Sequence, residues 1–132
     1  NRFSERENNK YNKCSINKSK DFLAETVDYI NQSIKFIKTK IDKPKFLLWS
    51  NDFTDLEKYF PKNEFLYVIN SENKILNDLY LLTQCKYFIV GPSTFSWWGA
   101  WLSNKENKLC IRPNHINPSN NINFWPESWI PV

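Results

Sequence analysis

Residues 88–102 read FIVGPSTFSWWGAWL, a β-favouring run that passes through a turn of small residues into a Trp-rich helix. Tyr87, Phe88, Ile89 and Val90 are consecutive strand formers bounded by Gly91 and Pro92, a run too short for a helix. It is apolar on both faces, as expected of a strand in a parallel sheet covered by helices, so the turn that follows is a strand-to-helix crossover. Ser93 suits the N-cap of that helix, with Ser96 three residues on, and the unpaired N–H groups of a first helical turn face back towards such a cap. These backbone donors, the positive helix end and the hydroxyls of Ser93, Thr94 and Ser96 all favour a phosphate. The plainer reading is a capped crossover helix with no ligand, and the pattern alone allows both.

Behind the turn, Trp97 and Trp101 fall one helical turn apart on one face while Trp98 points elsewhere. Indoles bury large areas, and Gly99 with Ala100 permits close backbone approach. The tryptophans therefore read as core that holds the turn rigid.

Outward from this stretch, helix and strand patterns alternate. Residues 1–18 are polar and aperiodic and read as a lead-in loop; residues 19–132 read as one domain. From Ser19, apolar residues at Phe22, Leu23, Val27, Ile30, Ile34 and Ile37 follow a helical repeat to about Ile41, stopped by Pro44. Strands are expected at Phe46–Trp49, Phe65–Ile69, Tyr87–Val90 and Lys108–Arg112. Helices are expected at Thr54–Phe60, Asn73–Gln84 and Thr94–Ser103, with Trp125 and Trp129 anchoring the tail. The order predicts an α/β fold: a parallel sheet of about four strands with right-handed crossovers and flanking helices.

In such sheets ligands gather beyond the carboxyl ends of the strands. That criterion selects Ser50, Asn51 and Asp52 after the first strand, Asn70 and Ser71 after the second, and Gly91 to Ser96 after the third. A carboxylate and an amide suit ribose hydroxyls or the N–H edge of a guanine, and the third cluster suits phosphates. Asn51 and Asp52 serve equally well as caps of the next helix. Asp78, near the start of a helix, stands where an acid is favoured in any case.

Composition narrows the field. The net charge of +4 is mild and its lysines are dispersed, which argues against a nucleic-acid partner. The one local excess, Lys35 to Lys45, reads as a solvated helix end and is compatible with peripheral contact at an anionic membrane face. Cys14, Cys85 and Cys110 are odd in number and lack metal-ligand spacing, with His115 the single histidine. Neither a zinc site nor a disulfide framework is indicated, and a reducing, cytoplasmic setting is expected. No run approaches the length of a membrane span.

The strand, the short Ser/Thr turn and FSWWGAWL resemble the signature of the α-1,2-fucosyltransferase family of glycosyltransferases. Phe46–Asp52, FLLWSND, looks like that family's strand ending in Ser-Asp/Asn-Asp, and Asp78–Cys85, DLYLLTQC, like its Asp-led helix. Ile111–Pro113 and Pro126–Ile130, PESWI, look like its closing strand and Pro-x-x-Trp tail. The resemblance implies the Rossmann-like, donor-binding C-terminal half of a GT-B enzyme. It implies inverting transfer of fucose from GDP-L-fucose to the 2-hydroxyl of a galactoside, without a bound metal. On that basis Asn51 and Asp52 match the acidic pair near the nucleoside, Asp78 matches the family's helix acid, and Ser93, Thr94, Phe95 and Ser96 match the segment around the diphosphate and fucose.

One departure counts against activity of this stretch alone. The family's basic His-x-Arg-x-Gly-Asp motif has no counterpart in residues 1–19, so the chain is expected to be the C-terminal part of a longer enzyme and nearly inactive when isolated. No general base is assignable among Asp52, Asp78, Glu127 and His115. Two other readings stand beside this one: a non-catalytic nucleotide-binding or interaction module, and a transferase for a different nucleotide sugar.

Overall fold

The computed structural model describes residues 14–69, 75–115, 121 and 123–132. Helix α1 (Cys14–Lys40) is followed by strand β1 (Phe46–Leu48), a 3₁₀ turn (Leu56–Lys58) and strand β2 (Phe65–Tyr67). Helix α2 (Ile75–Thr83), strand β3 (Tyr87–Ile89), helix α3 (Thr94–Leu102), strand β4 (Leu109–Arg112) and strand β5 (Ile130–Pro131) complete the order. All three strand pairings, β1–β2, β3–β4 and β4–β5, are parallel, giving the expected α/β class.

Several boundaries differ from the sequence pattern. Helix α1 begins at Cys14, five positions before Ser19, because a polar run carries no apolar repeat by which a helix is read from sequence. The helix expected over Thr54–Phe60 is reduced to a single 3₁₀ turn whose N-cap, Asp55, has a left-handed φ of 61°. The strands divide into two small sheets, β1–β2 and β3–β4–β5, where the alternation suggested one. Most of these strands are only three residues long and offer few ladder bonds, so the two sheets are joined by side-chain packing instead: Trp49, at the end of β1, packs against the core built on β3 and β4.

That central sheet is covered on both faces, as parallel strands require. Ile89, Leu109 and Ile111 face α1 in a cluster with Tyr29 and Ile37. The alternate residues Phe88, Val90 and Cys110 face Leu82 of α2 and Ala100 of α3, with Trp129 from the tail. Cys110 is a small residue of this core, and Cys85 lies at the flank of the same cluster; both thiols are free. The deepest stripe of α1 is Tyr29, Ser33 and Ile37, spaced one turn apart. A hydrophobic count passes over Tyr29 and Ser33 because both carry polar atoms.

The tail does more than anchor. Ile111 pairs with Ile130 and Arg112 with Pro131, so a short fifth strand, hidden in the sequence by its proline, extends the sheet. Trp129 is buried, whereas Trp98 and Trp101 remain half exposed at 49% and 50%. The expectation that all three signature tryptophans are core is therefore corrected: Trp97 flanks the core, Trp101 stacks on it at 5.2 Å between ring centroids, and Trp98 faces outward. The one-residue advance from Trp97 turns the Trp98 indole about 100° around the helix, away from the packed face.

Candidate functional site

The turn between β3 and α3 is held from three directions. Ser93 is the N-cap, and its side chain accepts a hydrogen bond from the Ser96 amide at 3.2 Å. The Ser96 hydroxyl lies 2.8 Å from the Gly91 carbonyl oxygen and 2.9 Å from that of Ser93, closing the turn on itself. From α1, the Tyr29 hydroxyl reaches the carbonyl oxygens of Val90 and Ile111, each at 2.9 Å. Burial pushes the Tyr29 pKa well up, so the phenol stays a donor clamping the ends of β3 and β4.

This arrangement divides the labour among the residues singled out in the sequence. Ser93 and Ser96 meet, their hydroxyl oxygens 2.9 Å apart, but Ser96 is spent on holding the turn. Phe95 turns its ring into the core cluster, and the Thr94 side chain is exposed. The amides of Thr94 and Phe95, which no hydrogen bond among the described residues engages, are the first-turn donors left for an anion.

After β1, Asn51 is exposed and Asp52 half buried. One Asp52 carboxylate oxygen accepts from the Thr54 amide at 2.8 Å, and the Ser50 hydroxyl donates to the Asp52 carbonyl at 2.5 Å. Asp52 therefore performs the local turn-capping role that the sequence left open. Asn70 and Ser71 lie outside the described residues. His115 and Glu127 are exposed.

Three side-chain atoms among the described residues are buried without a hydrogen-bond partner: Trp49 Nε1, Asp78 Oδ1 and Arg112 Nε. Each stands at a strand's carboxyl end or a helix's amino end. Trp49 follows β1, Asp78 lies in the first turn of α2, and Arg112 closes β4; in a parallel α/β unit, strand C-termini and the following helix N-termini share one side. Asp78 is one turn from Leu82, whose cluster Trp49 packs against. Buried polar atoms are normally satisfied, so a donor, an acceptor and a cationic group left open at strand and helix ends are groups that a polar, partly anionic molecule would satisfy. The sequence pointed to Asp78 and to the turn but not to Trp49 or Arg112. Their only sequence signal was position at a strand end, since an aromatic and a basic residue there have ordinary packing roles.

The parallel strands and flanking helices define the class as an α/β domain. Residues 13–129 match glycosyl transferase family 11, and the chain belongs to that family. It is 31% identical over 107 residues to an Escherichia coli "O-antigen biosynthesis glycosyltransferase WbnK", covering 79% of this chain and 35% of that protein. It is 30% identical over 116 residues to an Escherichia coli "Alpha-1,2-colitosyltransferase", covering 81% of this chain and 39% of that protein. The chain thus spans less than two-fifths of the length of these curated relatives. No solved structure matches it. Family membership agrees with the resemblance carried by the signature and with a GT-B-like architecture. Among the described residues no helix is long and apolar enough to cross a membrane.

Proposed function

We propose that this chain is the donor-binding part of an inverting glycosyltransferase that transfers L-fucose from GDP-L-fucose to the 2-hydroxyl of a galactoside in surface polysaccharide synthesis. The observation that carries the reading is the set of unsatisfied buried atoms at strand and helix ends, together with a capped helix start with two open amides. The Asp78 carboxylate suits the adjacent N1–H and N2–H donors of a guanine, whereas uracil offers a single N–H between two carbonyls. The amides of Thr94 and Phe95 suit phosphate oxygens. When the glycosyl bond breaks, negative charge grows on the departing diphosphate, and donors already fixed by Ser93, Ser96 and Tyr29 stabilise it without reorganising. The proposal calls for no resident metal.

Colitosyl transfer is a second reading of the donor, favoured by the name of one relative. The nucleotide is tested by calorimetric titration of GDP, GDP-fucose and UDP into the full-length protein and its Asp78→Asn variant. Guanine-selective binding that falls at least about tenfold in the variant supports the reading; equal or tighter binding of UDP overturns it. The sugar is tested by incubating the enzyme with fucosyl and colitosyl donors and a galactoside, followed by linkage analysis of the product.

A further inference from the structure

We propose that Arg112 binds the diphosphate of the donor, an assignment that rests on the donor-site reading above. It is the one arginine among the described residues. The register pairing Ile89 with Ile111 sets Arg112 opposite Val90, the last residue before the Gly91–Ser96 turn, and the Val90 amide donates to the Ile111 carbonyl at 2.9 Å. Strand alternation gives Arg112 the face of Cys110, the face that α3 covers. Its main chain is fixed from the far side as well, because its carbonyl accepts from the Val132 amide at 3.0 Å.

Among the described residues the guanidinium is underused for so constrained a position. Nη1 donates to the neighbouring Pro113 carbonyl at 3.3 Å, and Nε is buried with no partner. The ion pairs among the described residues are Lys38–Glu64, Lys58–Asp55 and Lys62–Glu57, none of which involves Arg112. Arg112 is half buried, and its Nε, closed off from water, has neither an acceptor nor a paired carboxylate among the described residues, an arrangement that costs stability. A phosphate supplies both missing elements, acceptor oxygens for the N–H fork and a negative charge. The described part of the chain then carries a cation for the diphosphate from β4, on the strand next to the turn.

The test is calorimetric titration of GDP and guanosine into the full-length protein as wild type, Arg112→Lys and Arg112→Gln. Arg112→Gln is expected to weaken GDP roughly tenfold to hundredfold and leave guanosine within about twofold. Arg112→Lys should recover part of the loss, since a point charge replaces the fork. GDP affinity unchanged in both variants overturns the role of Arg112 while the donor-site reading stands. Equal loss of GDP and guanosine in both variants marks a structural residue and overturns it too. Absence of any nucleotide binding by the wild type overturns the donor-site reading, and this assignment with it. If Arg112→Gln does not fold, Arg112→Lys alone decides, by whether GDP weakens relative to guanosine.

Discussion

Gly99 of α3 lies directly against Leu82 of α2: a Cβ added to Gly99 would stand 2.6 Å from Leu82 Cγ and 3.3 Å from its Cβ. Leu82 is itself buried in the core cluster, so the near part of the side chain has little room to yield. Gly99→Ala is therefore expected to destabilise the fold by about 1–3 kcal/mol, despite the better helix propensity of alanine. Denaturant unfolding of Gly99→Ala, Leu82→Ala and the double variant checks this: the double variant should be more stable than the sum of the two single losses predicts.

Removing the Tyr29 hydroxyl should loosen the turn from behind. Tyr29→Phe leaves the carbonyls of Val90 and Ile111 without their side-chain donor, at an expected cost of about 1–2 kcal/mol. Hydrogen exchange should show the change concentrated at Val90 and the residues of the following turn.

Lys108 closes the other end of the signature helix. Its ammonium lies 2.8 Å from the Ala100 carbonyl oxygen, 3.1 Å from that of Trp101 and 2.7 Å from that of Ser103, satisfying terminal acceptors and opposing the negative helix end. Lys108→Met keeps much of the stem and loses the cap. A loss of about 1–2 kcal/mol is expected, read as a lower Tm, while Lys105→Met should be nearly silent because its contact with Gln84 is long and exposed.

Alkaline pH should unfold the chain earlier than its lysines and arginines alone would dictate. Burial pushes the Cys110 thiol from 9.0 up to about 11 and raises Tyr29 as well. Both groups hold their protons more tightly when folded, so their contribution is complete below about pH 9. It is lost as pH rises through the folded values, because the unfolded chain ionises first. Stability should fall between about pH 9 and 11, and Cys110→Ala should flatten part of that fall when measured against its own value at pH 7. The same burial predicts slow alkylation of Cys110 in the native protein at pH 8.

How much of this was legible in the sequence differs from residue to residue. The stretch from Phe88 to Leu102 gave strand, cap and helix correctly, because turn residues and β-formers act locally and the local signals agree. Tyr29 and Ser33 were missed as the central stripe of α1, since their polar atoms conceal an apolar, packed position. β5 was missed because its two residues include Pro131 and its pairing depends on β4, far off in the chain. The turn-holding contacts of Ser96 were not legible either, since only the carbonyls of Gly91 and Ser93 reveal them. The open atoms of Trp49 and Arg112 were invisible for a related reason: being unsatisfied is a property of what surrounds an atom, and a sequence lists residues without their surroundings.

The two hydrogen bonds of Tyr29 span 61 and 82 residues of chain, while β3, α3 and β4 are consecutive. Closing the short loops costs less entropy and comes sooner than closing the long ones. The folding order that follows has the strand–turn–helix unit assembled first and α1 docking onto it late, so the Gly91–Ser96 turn takes its final shape near the end of folding. A nucleotide bound as proposed would then act chiefly on the unfolding rate, by holding shut a turn that α1 is the last to lock.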